Sequence, residues 1–283
     1  MSDALPPRLA ASRTALGVAA LRAAHQLIDD APRVLDDPLA TRLVDAETLD
    51  YVRAHPEAFR TPPALALRAH VLLRSRYAED RLALAVARGV RQYVIIGAGL
   101  DTSAYRAAVH GDALRVFEVD HPASQAAKRA RLAAAGIAEA PNVTWVSANL
   151  ERDDLAAALA ARGFDDRAPA FVTCLGVLVY LDDGAAAAVL RFAASLPPSE
   201  FVFTFAPPPN PDDPPSPTAA AARDAGEPWR WFVLADVLAL RLHELGFVDV
   251  EFVSGDELSA RYLHDRRDGL RVRRAARLVR AAT

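Results

Sequence analysis

Tyr93-Val-Ile-Ile-Gly97-Ala-Gly99-Leu-Asp101-Thr-Ser-Ala-Tyr-Arg106 reads as a buried strand that runs into a glycine turn and then a helical segment. Glycine at such a turn lets the backbone approach a bound nucleotide where a Cβ would clash. The texture downstream agrees. After the first apolar run at Gln92–Ile96 come Leu114–Val119, Val143–Ser147, Ala170–Leu175, Glu200–Ala206 and Phe247–Val253, with a last candidate strand near Leu270–Val279. Short β-branched and aromatic runs separated by alanine-rich helical stretches specify a mostly parallel sheet with helices on both faces, a doubly wound α/β fold.

Upstream the pattern is helical from residue 12 to about 88. Leu16, Ala20, Ala23 and Leu27 recur at helical spacing, Asp37-Pro38 reads as an N-cap with proline in the first turn, and a third helix runs from Pro63 to Arg88 and stops at Gly89. The chain thus divides into a helical N-terminal cap over residues 1–89 and an α/β unit over 90–283. One segment breaks the rhythm. Ala206 to Pro217, APPPNPDDPPSP, carries seven of the 20 prolines. It must be an extended loop, and loops at the carboxyl end of a parallel strand lie where such sheets bind ligands.

With 33 Lys+Arg against 36 Asp+Glu the net charge is −3, and 52% of residues are hydrophobic. That balance supports a full core and lacks the basic excess of dedicated nucleic-acid or anionic-membrane binders, so neither partner is expected. The single cysteine, Cys174, ends an apolar strand and suits core packing; no disulfide, zinc cluster or other metal site is expected. No apolar stretch has the length of a membrane span, and MSDALPPRLAASRTALG carries no secretory or mitochondrial pattern, so a soluble, cytoplasmic protein is the expectation.

The second strand ends at Asp120, roughly 20 residues past Gly99, where a carboxylate at the strand tip accepts hydrogen bonds from ribose hydroxyls. Glu118 shares that strand face, but Asp120 lies nearer the tip. Strand, glycine turn, helix, strand and acid suit two adenosine cofactors, nicotinamide dinucleotides and S-adenosylmethionine. The dinucleotide pattern wants Gly or Ala where this chain has Thr102, and its pyrophosphate would meet Asp101. An acid there repels phosphate and tolerates a sulfonium, which favours S-adenosylmethionine over a nicotinamide-dependent oxidoreductase.

Ser12-Arg-Thr-Ala15, Asp37-Pro-Leu-Ala40, Arg74-Ser-Arg-Tyr77, Gly97-Ala-Gly-Leu-Asp-Thr102, Phe117-Glu-Val-Asp120-His-Pro122 and Leu178-Val-Tyr-Leu181 mark a family. Together they resemble the leucine carboxyl methyltransferase-like family of class I S-adenosylmethionine-dependent methyltransferases, in its actinobacterial-type branch of small-molecule and uncharacterised members. The resemblance covers nearly the whole chain. It implies a Rossmann-like seven-stranded sheet ending in an antiparallel strand, with the helical N-terminus over the cofactor. It gives Gly97, Ala98 and Gly99 the lining of the cofactor beside Asp101, Asp120 the ribose hydroxyls, and Arg74 the cofactor carboxylate. Helical spacing agrees on the last point: Arg76 has Glu79 and Asp80 at i+3 and i+4, whereas Arg74 has only Tyr77 and Ala78 and faces about 200° away. Where the family shows Asp-Leu after the third strand, this chain has Asn149-Leu150, whose amide oxygen still accepts from an adenine amine. The family's glutamate for the cofactor ammonium is matched by Leu175, whose side chain cannot make that contact.

Methyl transfer from a sulfonium is an in-line displacement in which positioning supplies much of the rate. A carboxylate acceptor needs no base, which places it slightly ahead of a hydroxyl. For a hydroxyl, His121, Tyr180 and Tyr262 are the candidate bases. Acceptor choice is expected in the N-terminal helices, the proline-rich loop and Gly226-Glu-Pro-Trp229-Arg-Trp231, where Trp229 and Trp231 are candidates to wall an apolar pocket. Leu270-Arg-Val-Arg reads as an alternating edge strand with its polar face in water. The expectation is an O-methyltransferase for a small molecule. The alternative, raised by Leu175, is a cofactor-binding protein without methyl transfer.

Overall fold

The computed structural model describes residues 12–106, 113–212, 216–272 and 277–283. Its centre is strand β1 (Gln92–Ile96), buried along its whole length because strands flank it on both edges and helices cover both faces. Strand alternation sends Val94 and Ile96 into one core and Tyr93 and Ile95 into the other. β2 (Arg115–Asp120), β3 (Val143–Ser147), β4 (Ala170–Cys174), β5 (Glu200–Thr204), β6 (Asp249–Val253) and β7 (Leu278–Ala282) complete a seven-stranded sheet of order β3-β2-β1-β4-β5-β7-β6. All neighbours run parallel except β7, which is antiparallel to both β5 and β6. This is a Rossmann-like, mostly parallel sheet.

The last strand differs from the sequence expectation. It begins at Leu278, and it lies between β5 and β6 instead of at an edge. Leu270 and Val272 pack on one of the cores without joining the sheet, while Arg273 falls outside the described residues. Alternation reports which side chains face a core; it does not report whether the backbone beside them is paired.

Helices α6 (Leu155–Ala160), α7 (Asp183–Ser195) and α9 (Ala235–Glu244) cover one face of the sheet. On the other lie α4 (Pro62–Ala87) and α10 (Gly255–Tyr262), with Leu72, Leu73 and Leu258 in the core they share with β1. The remaining helices are α1 (Arg13–Ile28), α2 (Ala40–Leu43), α3 (Ala46–Ala54), α5 (Pro122–Ala134) and α8 (Pro217–Asp224). Local chemistry sets the ends of several. Ser12, Asp45, Asp154, Asp182 and Ser216 accept from first-turn amides, and Ser254 with Glu257 forms a full capping box at α10. Among the described residues, no helix is long and apolar enough to cross a membrane.

Buried charge fastens the N-terminal helices to the rest. Arg22 of α1 meets Asp37 at 2.7 Å and donates to the Thr102 hydroxyl at 2.8 Å, and Thr102 in turn donates to Asp37. The glycine turn after β1 is thereby tied to α1. A second cluster joins α1 to α4: Arg68 forks onto both oxygens of Asp29 at 2.8 Å, and His25 Nδ1 reaches the same carboxylate at 2.8 Å.

Candidate active site

A cavity of about 1370 Å³ opens at the carboxyl ends of β1, β4 and β5, where the strand order reverses between β1 and β4. This is the position at which open α/β sheets bind ligands. Its floor is the turn after β1. Gly97 and Ala98 both donate to the Val119 carbonyl, at 2.8 and 3.2 Å, which ties the turn to β2, and Asp101 N–H closes it onto the Ala98 carbonyl at 2.8 Å. Gly97 has φ +69°, and a Cβ on it would sit 2.2 Å from Val177 Cγ2. Gly97→Ala is therefore expected to cost roughly 1–3 kcal/mol from strain and crowding, read as a lower urea midpoint.

Asp120, at the tip of β2, faces the cavity with its carboxylate fixed by two amides: Gly99 N–H at 2.6 Å and His121 N–H at 2.7 Å. Burial raises its pKa above the ordinary aspartate value in spite of those donors. Glu118 is committed elsewhere, fully buried and paired with Lys128 at 2.7 Å. Asp101 also lines the cavity. It accepts from Ser103 N–H at 2.7 Å and lies 3.4 Å from Arg22; burial opposes its ionisation, yet Arg22, Lys128 and Ser103 hold its pKa down to about 2.

Arg74 reaches the cavity from α4. Its buried Nε has no partner among the described residues, and its guanidinium lies so close to the turn after β4 that a Cβ on Gly176 would approach Nη1 to 2.6 Å. Burial, aided by Arg22, lowers its pKa to about 10, so it remains a cation at neutral pH. A desolvated guanidinium without a counter-ion is costly, and a bidentate anion relieves that cost. Leu175, Gly176 and Tyr180 continue the wall, and Trp229 lines it with a buried Nε1 that has no partner among the described residues. Of the proline-rich segment, Ala206, Ser216 and Pro217 line the cavity, while 213–215 lie outside the described residues.

Five sequence candidates lie away from this cavity. His121 is exposed and caps α5, its Nδ1 accepting from Ala123 N–H at 3.2 Å. Tyr262 donates to Asp80 at 2.8 Å at the packing of α10 on α4. Trp231 is buried in the α9-side core and donates to Asp183 at 3.2 Å. The Asn149 side-chain oxygen accepts from Glu151 N–H at 3.0 Å, and Leu150 packs against the core. In each case a nearer partner within the fold claims the polar atom or the apolar surface.

Other residues enter the site without a sequence signal of their own. Arg22 is the one arginine in the interior of an apolar, alanine-rich helix, since Arg13 stands at its first position, a feature that could have marked it as buried and paired. Glu227 accepts from Ser12 Oγ at 2.8 Å and Arg13 N–H at 2.9 Å, and Thr14 also donates to it. These bonds hold the start of α1 against the segment after α8 across the cavity mouth. His70 and Arg277 line the interior.

Comparison with known proteins fits this geometry. Residues 15–194, more than half of the chain, match the sequence profile of the leucine carboxyl methyltransferase family. The chain belongs to this family. It is 36% identical over 177 residues to a provisionally assigned S-adenosyl-L-methionine-dependent methyltransferase of Saccharopolyspora erythraea, an alignment spanning 62% of this chain and 60% of that protein. A similarly named protein of Mycobacterium avium is 35% identical over 203 residues, spanning 69% and 67%. The chain thus spans about three fifths of the length of most of these curated relatives. In structure it resembles a provisionally assigned methyltransferase of Thermobifida fusca, with TM-score 0.55, 18% identity and 94% of each chain covered. A DUF574-family protein of Streptomyces avermitilis gives TM-score 0.55, 19% identity and 98% coverage of each. At these identities the structural likeness speaks to the fold alone.

Proposed function

We propose that the protein is an S-adenosylmethionine-dependent methyltransferase that methylates an oxygen, carboxylate or hydroxyl, of a small and largely apolar molecule. The observation that carries this reading is the pairing, in one cavity, of an amide-fixed carboxylate at Asp120 with the Arg74 guanidinium, whose buried Nε has no partner among the described residues. Asp120 has lone pairs left to accept from two vicinal ribose hydroxyls, and Arg74 offers a fork for an amino-acid carboxylate. Gly97 and Gly99 let the backbone approach the adenosine between them. The bound cofactor supplies an electrophilic methyl group. Asp101, ionised at neutral pH, disfavours a pyrophosphate at this turn and tolerates a sulfonium. The cavity exceeds the roughly 300–1,000 Å³ of a single small-ligand pocket, which leaves space for an acceptor beside the cofactor. Leu67, Val71 and Leu258 make that remaining space apolar.

Calorimetric titration with S-adenosylhomocysteine, with NADH as the parallel ligand, tests the reading. Micromolar binding of S-adenosylhomocysteine alone is expected. Arg74→Ala should weaken it on the order of 10- to 100-fold, the worth of a charge-assisted hydrogen-bond pair. Binding of NADH alone, or of neither ligand, would overturn the proposal.

A further inference from the structure

Of the seven exposed large apolar side chains among the described residues, five fall within residues 232–248, on α9 and its two flanks. Leu238 and Leu242 turn inward and are fully buried in the core on that face of the sheet. Leu234, Val237 and Leu240 stand on the outward side, with Leu234 52% and Leu240 65% exposed. At about 100° per residue these three and Glu244 fall within about 120° of one another, so they form one strip along the helix. Phe232 precedes the strip, and Val248, 78% exposed, follows it just before β6, an edge strand of the sheet. None of the five lines the cavity. A helix that is apolar on its inward and outward sides alike is ordinarily covered on both.

The charges at the two ends of α9 identify what covers it. Asp236 lies in the first turn, and Arg241 and His243 lie in the last. The amino end opens on Leu234, which supplies no side-chain cap, while Glu244 closes the carboxyl end, where a negative charge is unfavourable. An antiparallel copy of the same helix answers both. With Val237 opposite Leu240 of the copy, Glu244 reaches the copy's uncapped amino end, and the basic last turn of each helix lies beside Asp236 of the other. The contact is isologous, so each favourable pairing occurs twice. Arg241 meets Asp183 at 3.2 Å, but both side chains are exposed, so that pair is worth little and leaves other guanidinium donors within reach of a second copy.

We propose that the outward side of α9, with Phe232 and Val248, is a homodimer interface in which two copies of the chain pack these helices antiparallel about a twofold axis. The assembly is independent of the methyltransferase reading, because no part of the cavity takes part in it. One ten-residue helix with its flanks stands at the small end of specific interfaces, so the dissociation constant is expected on the order of 1–100 µM.

Sedimentation velocity of the full chain between about 1 and 200 µM tests this, and the parent is expected to pass from monomer to dimer across that range. Leu240→Glu should raise the dissociation constant about 100-fold or more, because it sets a carboxylate against apolar side chains at the centre of the contact. Val237→Glu, at the opposing position, should act in the same way, and Glu244→Lys should cost about 3- to 10-fold. Leu84→Glu alters an exposed leucine of α4, on the opposite face of the sheet, and should leave the constant within about twofold. Circular dichroism checks that each variant keeps the parent's helix content. A parent that stays monomeric at the top of the range overturns the proposal; if that monomer sediments with phosphatidylglycerol-containing vesicles, the face belongs to a membrane instead. A dimer that survives both glutamates, or that Leu84→Glu dissociates, overturns it as well, because the interface then lies elsewhere.

Discussion

Asp120→Ala is expected to weaken S-adenosylhomocysteine binding on the order of 100-fold or more. Two hydrogen bonds to a charged acceptor are each worth about 1.5–3 kcal/mol, and each 1.4 kcal/mol is tenfold in affinity. The same side chain also holds the Gly99 amide at 2.6 Å and so shapes the turn the adenosine meets. Asp120→Asn separates the two contributions, since its amide oxygen still accepts from Gly99 but carries no charge, and an intermediate loss is expected. Burial raises the Asp120 pKa, so on acidification affinity should begin to fall at a higher pH than an ordinary aspartate would dictate, as the acceptor becomes protonated. Calorimetry across pH 4.5–8 reads all three outcomes. Parent-like binding by Asp120→Ala would remove Asp120 from the site.

Asp29→Ala should produce the largest loss of stability, about 3–5 kcal/mol, because it leaves Arg68 as an uncompensated buried cation. Arg68 is 0% exposed and forks onto both Asp29 oxygens, and His25 shares the same carboxylate. For a domain of this size such a loss lowers Tm by roughly 10 °C. The pH dependence follows from the same group. Burial works against ionisation of Asp29, but His25 and Arg68 outweigh it, so its folded-state pKa lies below the ordinary value. Its contribution is thus fully present above the unfolded pKa near 4 and is lost as pH falls through the lower folded value. The gap between thermal melts of the parent and Asp29→Ala should begin to narrow below about pH 4 and close only once pH has fallen past the lower folded-state value. A loss under about 1 kcal/mol at pH 7 would mean that α1 is not anchored to α4 through this cluster.

Much of the frame was legible because its signals are local. The strand at Gln92–Ile96 is found where the apolar run placed it, and the sharp turn after it coincides with the two glycines. The contrast between Arg74 and Arg76 was likewise a matter of helical spacing: Arg76 pairs with Asp80 at 2.9 Å, and Arg74 turns into the cavity. Glu79 departs from that spacing rule and pairs with Arg106, which the turn after β1 brings against α4. The proton-accepting candidates were the least legible part. His121 and Tyr262 stand at attractive positions in the chain, but a helix cap and an aspartate 182 residues away claim them.

What the amino-acid sequence determined by itself is therefore the alternation of strands and helices, the glycine turn, and the acid at the tip of the second strand. These rest on periodicity, backbone freedom and short spacings, all of which act within a few residues of one another. Only the tertiary structure decided that His70 and Arg277 share a cavity with Arg74, that Trp229 lines it while Trp231 is core, and that β7 threads between β5 and β6. Those outcomes depend on which distant partner satisfies each buried polar group and fills each apolar face. That competition is settled by packing among elements far apart in the chain, and no local pattern records it.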